Sequence, residues 1–218
     1  MLETPALFQP LALRGVTLKN RIVVSPMCQY SALDGQINDW HRGHHTTLAR
    51  GGVGLVIVEA TAVEERGRIT HGDTGLWNDD QVAGMAEIAA IIARHGATPG
   101  IQIGHAGRKA SAQRPWEGNV ALGQSDADRG DAPWQTVAPT AEPFMEGWHC
   151  PDELSDTEIV ALVDAFAAAA ARAHKAGFRM LEIHGAHGYL IHSFLSPISN
   201  RRNDRWGGDR EGRMAFAL

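Results

Sequence analysis

One segment of this chain, residues 54–61 (GLVIVEAT), restricts the possible folds more than any other. It is a short run rich in β-branched residues with apolar side chains on both faces, which is typical of a strand buried in a parallel sheet. Parallel neighbours need long crossover connections, and these are usually helices. The segment therefore predicts an α/β fold in which strands and helices alternate along the chain.

The rest of the chain repeats this alternation. Short apolar runs predict three further strands, at residues 21–25, 99–103 and 180–183. Helical patterns are predicted over residues 38–50, from residue 79 to Gly96, and from a capping box at residues 155–158 to Gly177. Four βα units are half of what a TIM (β/α)8 barrel contains. We therefore expect residues 1–218 to form the N-terminal half of such a barrel, with about its first four βα units and no second domain.

One long stretch does not fit the alternation. Residues 106–152 are rich in Gly, Pro and Trp and show no clear period. A loop of that length inside a compact domain is usually functional. We expect it to contribute to a binding site.

Composition excludes several classes of protein. The net charge of −5 argues against nucleic acid or an anionic membrane as the main partner. No apolar run is long enough to span a bilayer, and the N-terminus has no secretory signal pattern. The chain has two cysteines and no CxxC motif, so a disulfide framework is not expected and a reducing cytoplasm fits best.

Reactive side chains follow the fourth predicted strand directly. His184, His187 and Tyr189 lie together in a glycine-flanked loop. In (β/α) barrels such loops carry the chemistry, because the sheet holds them rigidly while they stay open to solvent. Two imidazoles and a phenol are suited to gripping a carbonyl or nitro oxygen and supplying a proton. This loop is the first candidate for an active site.

The other three predicted strand ends also carry polar or reactive groups, in residues 25–30 (SPMCQY), 59–61 (EAT) and 102–109 (QIGHAGRK). A packed barrel end needs none of them. Gln102 stands on an otherwise apolar strand, and a buried amide must find a partner. A planar ligand with an imide-like edge would supply one.

Other interpretations of these residues are open. A lone cysteine such as Cys28 is typically a small buried hydrophobe. His184 and His187 could be a metal pair, but no third ligand is fixed nearby, so we predict no metal site. The predicted helix at residues 38–50 carries several aromatic side chains. For these we expect helix packing and solvated imidazoles, with no functional role; they are Trp40, His41, His44 and His45.

Several motifs together carry a family resemblance. They are residues 25–30 (SPMCQY), 59–63 (EATAV), 100–109 (GIQIGHAGRK), 184–190 (HGAHGYL) and 194–208 (FLSPISNRRNDRWGG). In order and spacing they resemble the Old Yellow Enzyme family, and most closely its bacterial, thermophilic-like subgroup. The resemblance extends from about Leu7 to the last residue.

The resemblance implies an FMN-dependent ene-reductase. NADPH or NADH would reduce the flavin, which would pass a hydride to an activated alkene whose C=C bond is conjugated to a carbonyl or nitro group. Small-molecule alkenes are then the expected partners, and relatives commonly form homo-oligomers. A larger relative, of the dienoyl-CoA reductase kind with an iron–sulfur domain, is an alternative that Cys28 disfavours.

The resemblance also implies residue roles. Cys28 sits where the subgroup has a cysteine close to flavin N5 and O4, which tunes the redox behaviour. The other positions that match cofactor contacts are Arg21, Pro26, Met27, Ala60 and Gln102. The positions that match substrate contacts are Tyr30, which lines the pocket, His184 and His187, which bind the carbonyl oxygen, and Tyr189, the proton donor.

Three features depart from the family pattern. Gly185 and Ala186 separate the two histidines, which we expect to widen the pocket or loosen the loop, and Gly212 is a weak helix residue where the family commonly has Asn. The family's phosphate-gripping loops would lie beyond residue 218. The alternative to an ene-reductase is therefore a truncated, non-catalytic half-barrel that binds flavin weakly.

Overall fold

The computed structural model describes residues 4–218. Its strands are β1 (Leu11–Leu13), β2 (Val16–Leu18), β3 (Val23–Val24), β4 (Leu55–Ala62), β5 (Thr98–Gly104), β6 (Val137–Ala138), β7 (Asp152–Glu153) and β8 (Met180–Ile183). Its α-helices are α1 (Asp39–Arg50), α2 (Val82–Arg94), α3 (Gln124–Ala127), α4 (Asp156–Lys175), α5 (Leu190–Leu195) and α6 (Arg210–Met214). The alternation of long strands and helices agrees with the predicted βα units.

A four-stranded parallel sheet in the order β3-β4-β5-β8 organises the fold. The spatial order follows the chain order, as expected when each strand is followed by a helix that returns the chain to the same edge. Val24 pairs with Val56, and Ile101 pairs with Leu181. Because all four strands point the same way, their carboxyl ends and the loops that follow them meet at one edge.

The middle of the sheet is anchored by α2. Its residues Met85, Ile88 and Ile92 are fully buried and form one cluster with Val56 and Ile101 of β4 and β5. The 3.6-residue period of this helix places those three side chains on one face. Burial of this size stabilises a domain by about 2 kcal/mol for each large aliphatic side chain.

A second apolar cluster supports the loop after β8. Ile159 and Leu162 of α4 pack with Leu190 and Phe194 of α5. Leu190 directly follows Tyr189, so the candidate tyrosine is attached to a packed element. The capping box predicted at the start of α4 is present: Ser155 Oγ accepts a hydrogen bond from the Glu158 amide, and the Glu158 carboxylate accepts one from the Ser155 amide.

The sheet is irregular where the site lies. Between Val58 and Thr61 the register of β4 against β5 shifts, so an extra residue is accommodated in β4. Bulges of this kind change the direction in which side chains point and are frequent beside functional sites. Glu59 and Ala60 occupy the irregular stretch.

Several elements were not predicted. No local pattern predicts the β1–β2 hairpin or helix α5, and residues 106–152 are predicted as one loop. That stretch contains α3 and β6 together with short helical turns, and β6 pairs in parallel with β7. Such short elements leave no periodic pattern because each buries only a few side chains.

The two outer strands of the sheet expose apolar side chains. Val23 on β3 and Ile183 on β8 are 45% and 57% exposed. Each of these strands has a neighbour on one side only.

No helix within residues 4–218 has both the length and the apolar character that crossing a membrane requires.

Candidate active site

The carboxyl edge of the parallel sheet encloses a small cavity. Most of its wall is backbone and small side chains, including Ala60, Gly104 and Ala106, and its polar lining comes from Asp73, His105, His184 and Tyr189. Three of the four strands contribute to this wall directly or through the loops that follow them. The edge thus combines a wall of mostly small residues with a few fixed polar groups.

His184, His187 and Tyr189 form one compact cluster, as predicted. His184 Nε2 lies 3.2 Å from His187 Nδ1, and the Tyr189 ring centre lies 4.9 Å from that of His184. The amide of Ala186 donates to His184 Nδ1 at 3.2 Å, which places the proton of the neutral imidazole on Nε2. Burial lowers the pKa of His184, so this imidazole is neutral near pH 7. Its Nε2–H is a donor held inside the site.

The backbone of this loop is held in an uncommon conformation. His187 has a φ of 59°, in the left-handed region that residues with a β-carbon seldom adopt. Lys109 Nζ donates to the His187 carbonyl oxygen at 2.7 Å, and the amide of Leu190 donates to the His105 carbonyl oxygen at 3.0 Å. These bonds fix the loop against the segment that follows β5.

Packing does not require the glycine between the two histidines. A β-carbon at Gly185 would lie 3.6 Å from Ile191 Cγ2, an ordinary contact. Gly107 is different, because its φ is 59° and a β-carbon there would press on the Leu190 backbone at 3.1 Å. The expected effect of Gly185 on the pocket stays a prediction.

Cys28 and Tyr30 lie close to Tyr189, which lines the cavity. Cys28 lies close to the Ala60 backbone and to the Tyr30 side chain. Burial raises the pKa of Tyr189 above its ordinary value, and the ionisable groups of Cys28 and Asp73 act in the same direction. Burial likewise raises the pKa of Cys28 and of Tyr30. All three side chains therefore keep their protons at neutral pH.

Comparison with known proteins agrees with this geometry. Residues 6–218 match the model of the NADH:flavin oxidoreductase / NADH oxidase family. The chain belongs to this family.

Individual relatives place the chain within the family. It is 48% identical over 212 residues to an NADPH dehydrogenase of Geobacillus sp. (strain WCH70), an alignment that covers 96% of this chain and 56% of the relative. Among solved structures, morphinone reductase superimposes with a TM-score of 0.81 at 29% identity, covering 99% of this chain and 57% of that one. An old yellow enzyme homologue from Zymomonas mobilis gives 0.81 at 28% identity, covering 98% of this chain and 57% of that one.

The chain thus spans little more than half the length of these relatives. The predicted resemblance to Old Yellow Enzymes is confirmed, and so is the predicted fold class, a partial (β/α)8 barrel.

The residues expected to contact the flavin of this family fall into two groups. Pro26, Met27 and Cys28 follow β3, and Ala60 and Gln102 lie on β4 and β5 close to their carboxyl ends, so these five belong to the same edge of the sheet. Gln102 is buried, and its amide donates to Glu182 Oε1 on β8 at 2.7 Å. The partner that a buried amide requires is therefore present in the protein itself.

Arg21 belongs to the other group. It precedes β3, its amide donates to the Leu7 carbonyl oxygen, and its side chain is exposed. The next residue, Ile22, pairs through its carbonyl oxygen with Gly54, at the amino end of β4. The structure does not bring Arg21 beside Ala60 or Cys28, and its cofactor contact stays a prediction.

The residues at this edge offer a wall without bulky side chains to a flat, imide-bearing ring such as that of FMN, while the enclosed cavity itself, about 10 Å³, is far smaller than such a ring. Ala60 and Gly104 in its lining have no bulk to block a ring, and a β-carbon at Gly104 would come within 3.1 Å of His184 Cβ. Cys28 and Gln102 supply a protonated thiol and a carboxamide at the same edge. No three His, Cys, Asp or Glu side chains of residues 4–218 come together as a metal site.

The expectation for α1 is met in part: His41 and His45 pack, as expected, but the expectation that the imidazoles are solvated is wrong for these two. His41 and His45 are not solvated imidazoles, because both side chains are buried under the helix. Burial lowers the pKa of His45 to about 3, so it is neutral. Trp40 is exposed, and its indole donates to Gln29 Oε1 at 3.0 Å.

Sequence reasoning gave no role to Asp73, which the structure places in the cavity wall. Its buried carboxyl accepts from the Ile69 amide at 2.7 Å and from Thr70 Oγ1 at 2.8 Å, which closes the loop beside the site. Burial raises its pKa from 3.8 to about 7. An Asp followed by Thr-Gly in a loop without periodicity carries no signal that would have separated it from a surface turn.

The raised pKa of Asp73 predicts a specific pH dependence of stability. Below about pH 4 the carboxyl is protonated in both folded and unfolded chains, and its contribution to stability is fully present. That contribution is lost as the pH rises towards 7, because the unfolded chain ionises first. We expect the stability of Asp73→Asn relative to wild type to increase from pH 4 to 7 and then level off, measured by denaturant unfolding.

The control for this measurement is Asp39→Asn, since the Asp39 side chain is fully exposed. Parallel stability curves for wild type and Asp73→Asn over this pH range would contradict the raised pKa.

Proposed function

We propose that this chain is the N-terminal part of an FMN-dependent ene-reductase. The observation that carries the proposal is the cluster of His184, His187 and Tyr189, which faces a cavity walled by small residues at the carboxyl edge of the sheet. The expected substrates are small-molecule alkenes conjugated to a carbonyl or nitro group.

The two imidazoles would bind the substrate oxygen. His184 Nε2–H already points at a hydrogen-bond acceptor, His187 Nδ1, and a ligand oxygen can take the place of that acceptor. Hydrogen bonds to a carbonyl oxygen withdraw electron density from the conjugated alkene. They also stabilise the enolate-like charge that builds up on the oxygen during reduction. The neutral His184 Nε2–H suits this purpose because the loop already holds it in position before charge develops on the substrate oxygen.

Tyr189 would supply the proton to the α-carbon. Its raised pKa keeps the phenol protonated throughout the neutral range. The Tyr189 ring packs edge-on to His184, so a substrate held by the imidazole lies beside the hydroxyl. Position, rather than unusual acidity, would be the contribution of this residue.

Cofactor chemistry completes the proposal. When bound, FMN would take two electrons from NADPH or NADH and deliver a hydride to the β-carbon of the alkene. Pro26, Met27, Cys28, Ala60 and Gln102 would hold the flavin ring, with Arg21 as a further contact. Tyr30 would line the substrate pocket. A cytoplasmic location and a homo-oligomeric assembly are part of the same proposal.

A second candidate is that the 218-residue chain alone is a non-catalytic half-barrel. Two features favour this alternative. The outer strands β3 and β8 each lack a neighbouring strand on one side, and the apolar side chains of Val23 and Ile183 on these strands are exposed to solvent. Such a chain would hold flavin weakly.

An anaerobic flavin titration separates the two candidates. FMN is added to the purified chain, followed by NADPH and then cyclohexenone, while the visible flavin band is recorded. We expect bound flavin that bleaches with NADPH and recovers with the enone if the chain acts as a reductase. Flavin that stays free supports the half-barrel, and the same titration on the longer parent protein then tests the reaction itself.

Tyr189→Phe tests the proton donor in the flavin-loaded protein. We expect reduction of the flavin by NADPH to be unchanged, because the hydroxyl has no part in that half-reaction. Alkene reduction should slow by about 10²- to 10⁴-fold, the usual contribution of a positioned acid. Stopped-flow measurement of the two half-reactions checks this, and equal loss in both would contradict the assigned role.

His184→Ala and His187→Ala test the oxygen-binding site. Each variant should weaken the binding of a phenol ligand by about tenfold, since each removes one hydrogen bond. Ligand binding is followed through the change in the flavin spectrum. His192→Ala, an exposed imidazole on α5, is the matched control and should bind as wild type does. Loss of activity on adding a zinc chelator would instead favour a metal site.

A further inference from the structure

Glu59 is a buried carboxyl group that the proposed reaction does not use. It lies on β4 directly before Ala60, its side chain is 1% exposed, and it is absent from the lining of the cavity. Burying a carboxyl group among apolar strands is costly unless its oxygens are partnered. The groups that face its two carboxylate oxygens therefore indicate the role of Glu59.

One carboxylate oxygen holds the loop that follows β3. Glu59 Oε2 accepts a hydrogen bond from the backbone amide of Gln29 at 2.8 Å. Gln29 stands between Cys28 and Tyr30, both of which lie near Tyr189 in the cavity wall. The bond therefore ties that loop to the neighbouring strand.

The other oxygen faces a buried imidazole on α1. Glu59 Oε1 lies 3.4 Å from His41 Nε2, and both side chains are excluded from solvent. The two atoms do not meet hydrogen-bond geometry, so this is a close contact between two buried polar groups. On the far side of the ring, His41 Nδ1 contacts Asn38 twice, at 3.3 Å from its backbone amide and at 3.0 Å from its Oδ1. Asn38 is also the N-cap of α1.

Asn38 closes this network back onto the same loop, because its side-chain amide donates to the Ser31 carbonyl oxygen. The backbone is thus held on both sides of Tyr30, at Gln29 by Glu59 and at Ser31 by Asn38. Between the two anchors Tyr30 has a φ of 52°, a left-handed conformation that persists only where the surroundings impose it.

We propose that Glu59 is a positioning residue of the site. It holds the backbone at Gln29 while Asn38 holds it at Ser31, and so positions the side chains of Tyr30 and Cys28 beside the Tyr189 phenol that lines the cavity. The significance of that positioning for alkene reduction rests on the proposed function, whereas the positioning itself does not.

Hydrogen–deuterium exchange of the purified chain tests the anchor directly. Glu59→Met keeps the length and volume of the side chain but removes the acceptor for the Gln29 amide. We expect peptides covering residues 27–33 to exchange about tenfold faster, the amount that loss of one hydrogen bond produces. Glu59→Gln keeps an acceptor oxygen and should restore exchange to nearly the wild-type rate.

A matched control separates positioning from general destabilisation. Leu162→Ala removes a buried side chain of α4 in the second apolar cluster, and should lower the unfolding temperature without accelerating exchange at residues 27–33. If Glu59→Met does not fold, Glu59→Asp, whose carboxylate is one methylene shorter, takes its place with the same expected direction.

Unchanged exchange in a folded Glu59→Met or Glu59→Asp variant would overturn the proposal. The proposal would also be overturned if Leu162→Ala accelerated exchange at residues 27–33 as much as Glu59→Met does, for the same decrease in unfolding temperature. The measurement needs neither flavin nor NADPH, so a chain that fails to bind flavin counts against the proposed function and leaves this result intact.

Discussion

Parallel strand pairing is the constraint on which the rest of this structure depends. Each of the strands β3, β4, β5 and β8 ends at the same edge of the sheet, so segments far apart in sequence become neighbours there. Cys28, Ala60, Gln102 and His184 meet for this reason and not because any two of them interact strongly. The helices supply the apolar contacts that keep the strands in register, and the chemistry is confined to the loops.

Burial determines the protonation states of the side chains in the site. Withdrawal from water keeps the Tyr189 phenol and the Cys28 thiol protonated, and keeps the His184 imidazole neutral. The site therefore carries donors that need no charge of their own, which suits the stabilisation of a charge that forms on a ligand during a reaction. Asp73 is affected by the same burial, so it can hold its loop closed with little fixed negative charge near the phenol at mildly acidic pH.

Much of the fold could be predicted from local patterns. Strand β4 and helix α4 were recognised because each buries many side chains with a regular period, and the strand ends then located the His184 cluster. The β1–β2 hairpin was missed because three-residue strands have no period to detect. The role of His41 was mistaken because a helix pattern does not reveal which neighbour will bury an imidazole. Glu59 and Asp73 act through backbone amides, and the sequence does not record which amides come within reach of a carboxyl group.

The left-handed backbone of Tyr30, the residue proposed to line the substrate pocket, limits which side chains this position can carry. A β-branched side chain at position 30 would add the steric cost of that backbone region to the loss of the phenol, whereas glycine, asparagine or aspartate tolerate it. Substitutions that enlarge or reshape the pocket at this position are therefore restricted to a few small residues. Variation in which molecules the pocket admits would have to arise at positions whose backbone is ordinary, such as Ile69 in the cavity wall.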